Sequence, residues 1–261
     1  DYIKYAFSFN IFLVPHFLAM NVLASGDKVM ITSMVGRTET AIYGVSYTAA
    51  SIILVFWQAI EASWTPWLFE HLKVGEKKPI KKRANQIITI FAVVSIVCML
   101  LAPEIMKILA PIDYIEGIYI IPSVTAGVYF TAAYALYMRL EYYFKKTKAA
   151  MVGSVFAAII NVALNYVFIG SFGYIAAGYT TLVCYILLYL FHFRQSRKIG
   201  MKNIYDDKYI AGLSATMVLV SLFVTFTYSM NILRYTIIVC LLVLCSIFRK
   251  QILRQVKEII K

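Results

Sequence analysis

Asp27 and Lys28 are neighbouring charged residues in an otherwise apolar stretch that begins at Tyr5. In apolar surroundings an ammonium group can bind a phosphate or another anion, and a carboxylate can hold a proton or a cation. If the stretch is a helix, its rotation of about 100° per residue places Asn10, Asn21 and Lys28 within about 20° of one another. These three residues form a polar stripe that could bind an anionic or sugar-like molecule.

The same residues also allow ordinary structural roles. Lys28 could extend its ammonium group to lipid headgroups at the end of a helix, with Asp27 capping or pairing locally. Asn10 and Asn21 could hydrogen-bond to neighbouring helices. The residue types alone leave both interpretations open.

The composition is that of a membrane protein. Hydrophobic residues make up 61% and charged residues 15% of the 261 residues, and the mean hydropathy is +0.76. Soluble domains average roughly 45–50% apolar and about 25% charged residues. Apolar runs of about 20 residues, enough to cross a bilayer as a helix, recur along the whole sequence. The sequence therefore predicts an all-α polytopic membrane protein with about eight transmembrane helices, over residues 5–25, 41–68, 85–110, 117–138, 149–169, 174–193, 209–228 and 231–248.

The net charge of +12 is distributed as membrane topology requires, and it does not indicate nucleic-acid binding. If the first run crosses from the cytoplasm outward, all basic residues but four fall on cytoplasmic segments, as the positive-inside rule demands. The four exceptions are Lys28, Arg37, Lys107 and Arg234. This predicts that both ends of the chain are cytoplasmic, with an amphipathic basic tail over 249–261. The basic inner surface would attract anionic membrane lipids.

No feature of the loops, histidines or cysteines indicates an enzyme. The loops are too short to form a soluble domain, His16, His71 and His192 share no motif, and the four cysteines lack metal-ligand spacing. We therefore expect neither covalent catalysis nor a cofactor or bound metal.

The segment DKVMITSMVGRTETAIYGVSYTAAS combines the charged pair at Asp27 with a Val35-Gly36 turn and a helix start rich in Tyr and Ser. It resembles the seventh helix and the following turn of polysaccharide flippases in the multidrug/oligosaccharidyl-lipid/polysaccharide exporter superfamily. In those proteins an Asp-Arg or Asp-Lys pair precedes small apolar residues and a Leu-Gly or Val-Gly turn.

A second segment, NVALNYVFIGSFGYIAAGYTTLVCY, begins at Asn161. It resembles the eleventh helix of the same superfamily and the small-residue start of the twelfth. Independently of the family, Asn161 and Asn165 lie on one helical face. The small residues Ala176, Ala177 and Gly178 would let helices approach closely.

These resemblances imply the C-terminal half of a flippase. Residues 1–195 would form a six-helix lobe and residues 196–248 two additional helices. A missing N-terminal lobe of the same protein would supply the other wall of a central cavity. The implied cargo is a polyprenyl-pyrophosphate-linked oligosaccharide, flipped from the cytoplasmic to the outer leaflet of the plasma (bacterial inner) membrane for polysaccharide biosynthesis.

The implied cargo gives the polar residues specific roles. Pyrophosphate is strongly rejected by hydrocarbon, so the cavity must supply cations and hydrogen-bond donors. Lys28 is the first candidate cation, with Asn10, Asn21, Asn161 and Asn165 as donors to sugar or phosphate.

Three further charged residues have two interpretations each. Asp27, which projects about 100° away from Lys28, is expected to hold a donor within its own lobe, with a coupling-ion role as the alternative. Arg139 could receive a pyrophosphate from the cytoplasm, or lie at the interface near Glu141 and Lys145.

Glu61 shares a helical face with Trp57 and Trp64. Its carboxylate could bind a coupling H+ or Na+. Alternatively, Glu61 faces headgroup water and Trp57, Trp64 and Trp67 form an aromatic belt at the inner interface.

Two other classes of protein fit the sequence less well. A multidrug or cation antiporter of the same superfamily would favour acidic cavity residues, whereas the polar stripe carries a lysine and asparagines. A membrane-embedded glycan polymerase or acyltransferase would need a large extramembrane loop or a His/Asp/Arg constellation inside the membrane.

The topology can be tested by accessibility labelling in intact cells. Single cysteines replacing Lys77 and Lys146 should be protected from an impermeant thiol reagent, because both loops are predicted to be cytoplasmic. Cysteines replacing Thr38 and Gly173 should react. Labelling of positions 77 and 38 from the same side would contradict the predicted topology.

Overall fold

The computed structural model describes residues 10–247 and residue 249. In this part of the chain every regular element is a helix. The elements are α1 (Leu13–Met34), α2 (Arg37–Ser51), α3 (Ile53–Val74), α4 (Lys77–Leu100), α5 (Ala102–Leu109), a 3-10 helix (Ile112–Tyr119), α6 (Ile121–Tyr143), α7 (Thr147–Phe172), α8 (Ala176–Lys198), α9 (Asp207–Thr227) and α10 (Asn231–Ile247). Helix α3 ends at Gly75, whose φ of 82° lies in the left-handed region that favours glycine.

Within the described residues, five helical segments are long and apolar enough to cross a membrane. The number becomes six if the 3-10 helix and α6, which meet at a 51° bend, form one broken span. One of the five is the segment Arg37–Val74, which contains α2 and α3. An all-helical chain with several apolar helices is consistent with the predicted multi-pass membrane protein.

The predicted number of about eight spans is not confirmed. The first predicted run overlaps α1, which is not among the five segments found in the described residues. The run predicted over 85–110 keeps one span, α4, which ends at Leu100 before the short helix α5. The last predicted run corresponds to α10, whose apolar part, Asn231–Val243, is shorter than a span. The beginning of the first run and, apart from residue 249, the predicted basic tail lie outside the described residues.

The packing separates the chain into two compact units, and each draws on two segments. Unit 1 contains the described residues up to Thr48 together with Phe130–Lys202, and unit 2 contains Ala49–Tyr129 together with the described residues from Asn203 onward. The domain boundary predicted at residue 195 was placed between successive spans along the sequence, whereas the two units are defined by packing. That boundary stays a prediction.

In unit 1, helix α7 packs against both α1 and α8. The contact with α8 is close at Gly153, where an added Cβ would lie only 2.7 Å from the ring of Phe191. A larger residue at this position would require the Phe191 ring or one of the two helices to shift. Small residues thus let the polar side chains of α1, α7 and α8 meet in the interior of the unit.

In unit 2, helix α4 packs against α3 and α9. Trp57 and Trp64 are buried at 2% and 1% exposure, so these two side chains are core residues and not parts of an exposed belt. Trp67 instead stacks with His71 and lies 4.4 Å from the guanidinium carbon of Arg83. The predicted belt is wrong for Trp57 and Trp64 because α4 and the Tyr205 region cover them.

An ion pair between a buried arginine and a half-buried glutamate joins distant parts of unit 2. The guanidinium of Arg234, which is 1% exposed, donates through both terminal nitrogens to the carboxylate of Glu104, one of them at 2.8 Å. It also donates to the carbonyl oxygen of Leu100 at 3.0 Å, and the Tyr235 hydroxyl donates to Glu104 at 2.7 Å. The start of α10 is therefore fixed to the end of α4 and to α5 by charge-assisted bonds.

Candidate functional site

Asp27 is completely buried in unit 1 and accepts hydrogen bonds from three other helices. The Tyr43 hydroxyl of α2 donates to Oδ2 at 2.6 Å, and the Thr181 hydroxyl of α8 donates to the same oxygen at 2.7 Å. The Asn165 amide of α7 donates to Oδ1 at 2.6 Å. Both carboxylate oxygens are therefore hydrogen-bonded, as a buried carboxyl group requires.

A second layer of bonds orients these donors. The Asn161 amide donates to Thr181 Oγ1 at 3.0 Å, and the Asn165 amide donates to Asn161 Oδ1 at 3.2 Å. The Thr180 hydroxyl donates to Asn165 Oδ1. We call this group the Asp27 cluster; it consists of Asp27, Tyr43, Asn161, Asn165, Thr180 and Thr181.

Sequence spacing explains how the cluster assembles. Asn161 and Asn165 are four residues apart and so lie on one face of α7. Tyr43 returns to Asp27 because α1 ends in a tight turn, where the Val35 and Gly36 amides both donate to the Ile31 carbonyl, at 2.9 and 3.0 Å. Helix α8 begins with small residues, which leaves its threonines close to α7.

The cluster holds its carboxyl group with neutral donors. Among the described residues, no lysine, arginine or histidine forms a salt bridge with Asp27. Serine, threonine and tyrosine hydroxyls can rotate between donating and accepting, so the surrounding groups fit either a carboxylate or a neutral side chain of the same shape. The arrangement can fix four helices relative to one another, and it can also accommodate a change of charge at one carboxyl group.

The side chain of Lys28 forms no hydrogen bond with the Asp27 cluster in the described part of the chain. Its side chain is half-buried, with Nζ 5.5 Å from the centre of the Tyr47 ring. Its Cε would lie 3.9 Å from a Cβ added at Gly44, so the side chain runs along α2. Within the described residues Lys28 forms no salt bridge, and its ammonium group keeps its capacity to bind an anion.

The structure brings only some of the predicted site residues together. Asn161 and Asn165 are fully buried in the Asp27 cluster, so in this conformation their amides bind protein groups and face no open cavity. Asn21 lies on α1, and Asn10 lies just before this helix. Both side chains are exposed, and both residues belong to the same helix segment as Lys28. The substrate-binding roles of all five residues stay predictions.

Two other candidates are not members of the Asp27 cluster. Arg139 is half-buried on α6, with its guanidinium carbon 5.2 Å from the Tyr142 ring centre. Glu61 is half-buried on α3, in unit 2. The Glu141 that the sequence placed beside Lys145 is fully buried and bound to His192.

Sequence reasoning did not single out Tyr43, Thr180 or Thr181 as members of a site. The signal was present, because all three are polar groups within otherwise apolar helical runs. What the sequence does not give is the long-range pairing, since Thr181 meets a carboxylate 154 residues away.

Comparisons with family models, with curated proteins and with solved structures find no match to this chain. The fold and the site therefore define the class on their own. Over its described residues the chain is all-helical with several apolar helices, consistent with a multi-pass membrane protein, and it holds a buried carboxyl group with both oxygens hydrogen-bonded in one of its two units.

The importance of the Asp27 cluster for stability can be measured by replacing Asn165 with leucine. This removes one donor from a buried carboxyl group, and we expect it to lower the free energy of unfolding by about 1–3 kcal/mol. The matched control is Asn21→Leu on the exposed face of α1, which should change stability by less than about 0.5 kcal/mol. Denaturant titration of the purified protein in mixed micelles compares the two. Equal effects would show that the Asp27 cluster does not stabilise the fold.

Proposed function

We propose that the protein moves a polyprenyl-pyrophosphate-linked oligosaccharide from the cytoplasmic to the outer leaflet of a bacterial inner membrane. The transfer involves no covalent step. The proposal rests on the two flippase-like sequence segments. The observation that carries it is the half-buried ammonium group of Lys28, which has no carboxylate partner among the described residues.

An unpaired lysine inside a membrane protein is costly unless it reaches water or binds an anion. The Tyr47 ring offers Lys28 a weak cation–π contact, which leaves its three donors available to a ligand. A pyrophosphate group offers several anionic oxygens, and charge-assisted bonds to these oxygens would replace part of its hydration. The lipid tail of the cargo would remain in the bilayer.

The Asp27 cluster supports this role by positioning Lys28. Because Asp27 is bound to α2, α7 and α8, the rotation of α1 about its axis is fixed, and the next residue must project toward α2. In this proposal Asp27 is structural. The exposed Asn21 would contribute a donor on the Lys28 side of α1.

A cation antiporter is the second candidate, and the burial of Asp27 without a basic partner favours it. In such a protein the Asp27 carboxylate would alternate between binding a cation and binding a second substrate. We rank this function lower because hydroxyl and amide donors already satisfy both oxygens of Asp27. Under either function, a missing N-terminal lobe would complete the transport pathway.

Replacing Lys28 tests the proposed function. In cells that depend on the protein for surface polysaccharide, Lys28→Ala should lower glycan export about tenfold or more, since one charge-assisted contact contributes roughly 1.5–3 kcal/mol. Lys28→Arg should retain more export because it keeps the charge. Immunodetection in the membrane fraction ensures matched abundance.

The control is Lys107→Ala, which removes an exposed lysine from α5 in unit 2 and should leave export unchanged. Normal export by Lys28→Ala at matched abundance would show that Lys28 only reaches to headgroups, and the proposed anion site would then be wrong.

A further inference from the structure

Unit 1 contains a second buried carboxyl group, and its partner is a histidine. Glu141 of α6 and His192 of α8 are both fully buried, and Nδ1 of His192 lies 2.8 Å from Oε1 of Glu141. The two residues are 51 positions apart and belong to no motif of the sequence. This pair is separate from the Asp27 cluster, since no hydrogen bond among the described residues joins the two.

Each member of the pair has one polar atom without a hydrogen-bond partner in the described part of the chain. These atoms are Oε2 of Glu141 and Nε2 of His192. Nε2 faces the backbone of α7, where an atom added as Cβ on Gly153 would be 3.4 Å away. Buried polar atoms are rarely left unbonded, and each such case calls for an explanation.

Ionisable groups of α1 and α6 lie near the pair. Helix α1 contributes His16, which is buried at 5% exposure and lies close enough to His192 and Arg139 for their charges to affect it. Helix α6 contributes Arg139 and Tyr134, whose ring stacks on His192 with centres 5.6 Å apart. Helix α7 faces the pair with the backbone at Gly153.

The charge of the pair depends on one proton. With a neutral imidazole and an ionised carboxylate, the pair carries a net negative charge in the protein interior. One additional proton, on either residue, makes the pair neutral overall, either as an ion pair or as two neutral groups. A neutral pair is far less costly to bury than a single charge, and Oε2 and Nε2 are the two atoms that could accept the proton.

We propose that Glu141 and His192 form a proton-binding site that takes up and releases one proton. The site lies near the C-terminal ends of α6 and α8, next to the loops that the charge pattern assigns to the cytoplasm. Protons from that side would reach it first. The use of this proton as the coupling ion of transport rests on the proposed function, whereas proton binding itself does not.

The test is a pH titration of the full chain in bilayers, with ¹⁵N-labelled histidine and detection by solid-state NMR. The protein has only three histidines, so His16→Gln and His71→Gln assign the imidazole signals. In the unsubstituted protein the His192 signals should change between two forms along a one-proton curve. In Glu141→Gln this change should be lost, because the variant removes the charge that the proton neutralises.

The pair His71 and Glu76 offers a matched control. Their side chains are 25% and 52% exposed, and Nε2 of His71 lies 3.6 Å from Oε2 of Glu76. Glu76→Gln removes a carboxylate beside a histidine outside the site, and the His192 titration should be unchanged. An identical His192 titration in Glu141→Gln would overturn the proposal.

If Glu141→Gln does not fold, the His192 titration of the unsubstituted protein is sufficient to test the proposal. His192 signals that change with pH support the site, and signals that stay constant wherever the protein is folded overturn it. The experiment contains no glycan or lipid-linked substrate. Its result is therefore independent of the proposed flippase function, and normal export by Lys28→Ala would not affect it.

Discussion

The hydrogen bonds of one buried carboxyl group, that of Asp27, link four helices of unit 1. A carboxylate taken out of water must recover its lost hydrogen bonds within the protein, because otherwise its burial would cost several kcal/mol. Here the recovered bonds come from α2, α7 and α8, one from each. Helix α1 therefore cannot rotate or slide without breaking bonds to three neighbours, and this fixes where Lys28 projects.

The two buried carboxyl groups of unit 1 differ in how completely they are satisfied. Asp27 accepts three donors, and both of its oxygens are bonded. Glu141 has one bonded oxygen and one that has no partner among the described residues. A fully bonded carboxyl group favours a constant structure, whereas an open one leaves a place for a proton. This difference underlies the structural role proposed for Asp27 and the proton-binding role proposed for Glu141.

Composition was sufficient to predict an all-helical membrane protein, because the apolar runs are too long and too frequent for a soluble domain. The spacing of Asn161 and Asn165 correctly placed them on one face of a helix, but it could not show that this face turns inward. The number of spans was harder to predict, because the last apolar run corresponds to a helix shorter than a span and the run over 117–138 contains a 51° bend that hydropathy does not register.

Pairs formed between distant segments were beyond sequence reasoning. Arg234 meets Glu104 across 130 positions, and nothing local to either residue marks the other as its partner. Glu141 has a lysine four positions away, at Lys145, and local helix rules favoured that pairing. The structure replaces it with His192, since α6 and α8 bury both side chains together.

The most direct test of the central claim is the export activity of Asp27→Asn at matched membrane abundance. The amide keeps the shape of the side chain, and the hydroxyls of Tyr43 and Thr181 can rotate to accept from it. If Asp27 is structural and the protein exports glycan as we propose, this variant should retain most glycan export, whereas Asp27→Leu should reduce the amount of folded protein. An Asp27→Asn protein that is folded and abundant but exports no glycan would show that the charge itself is needed for transport, contradicting the structural role of the Asp27 cluster.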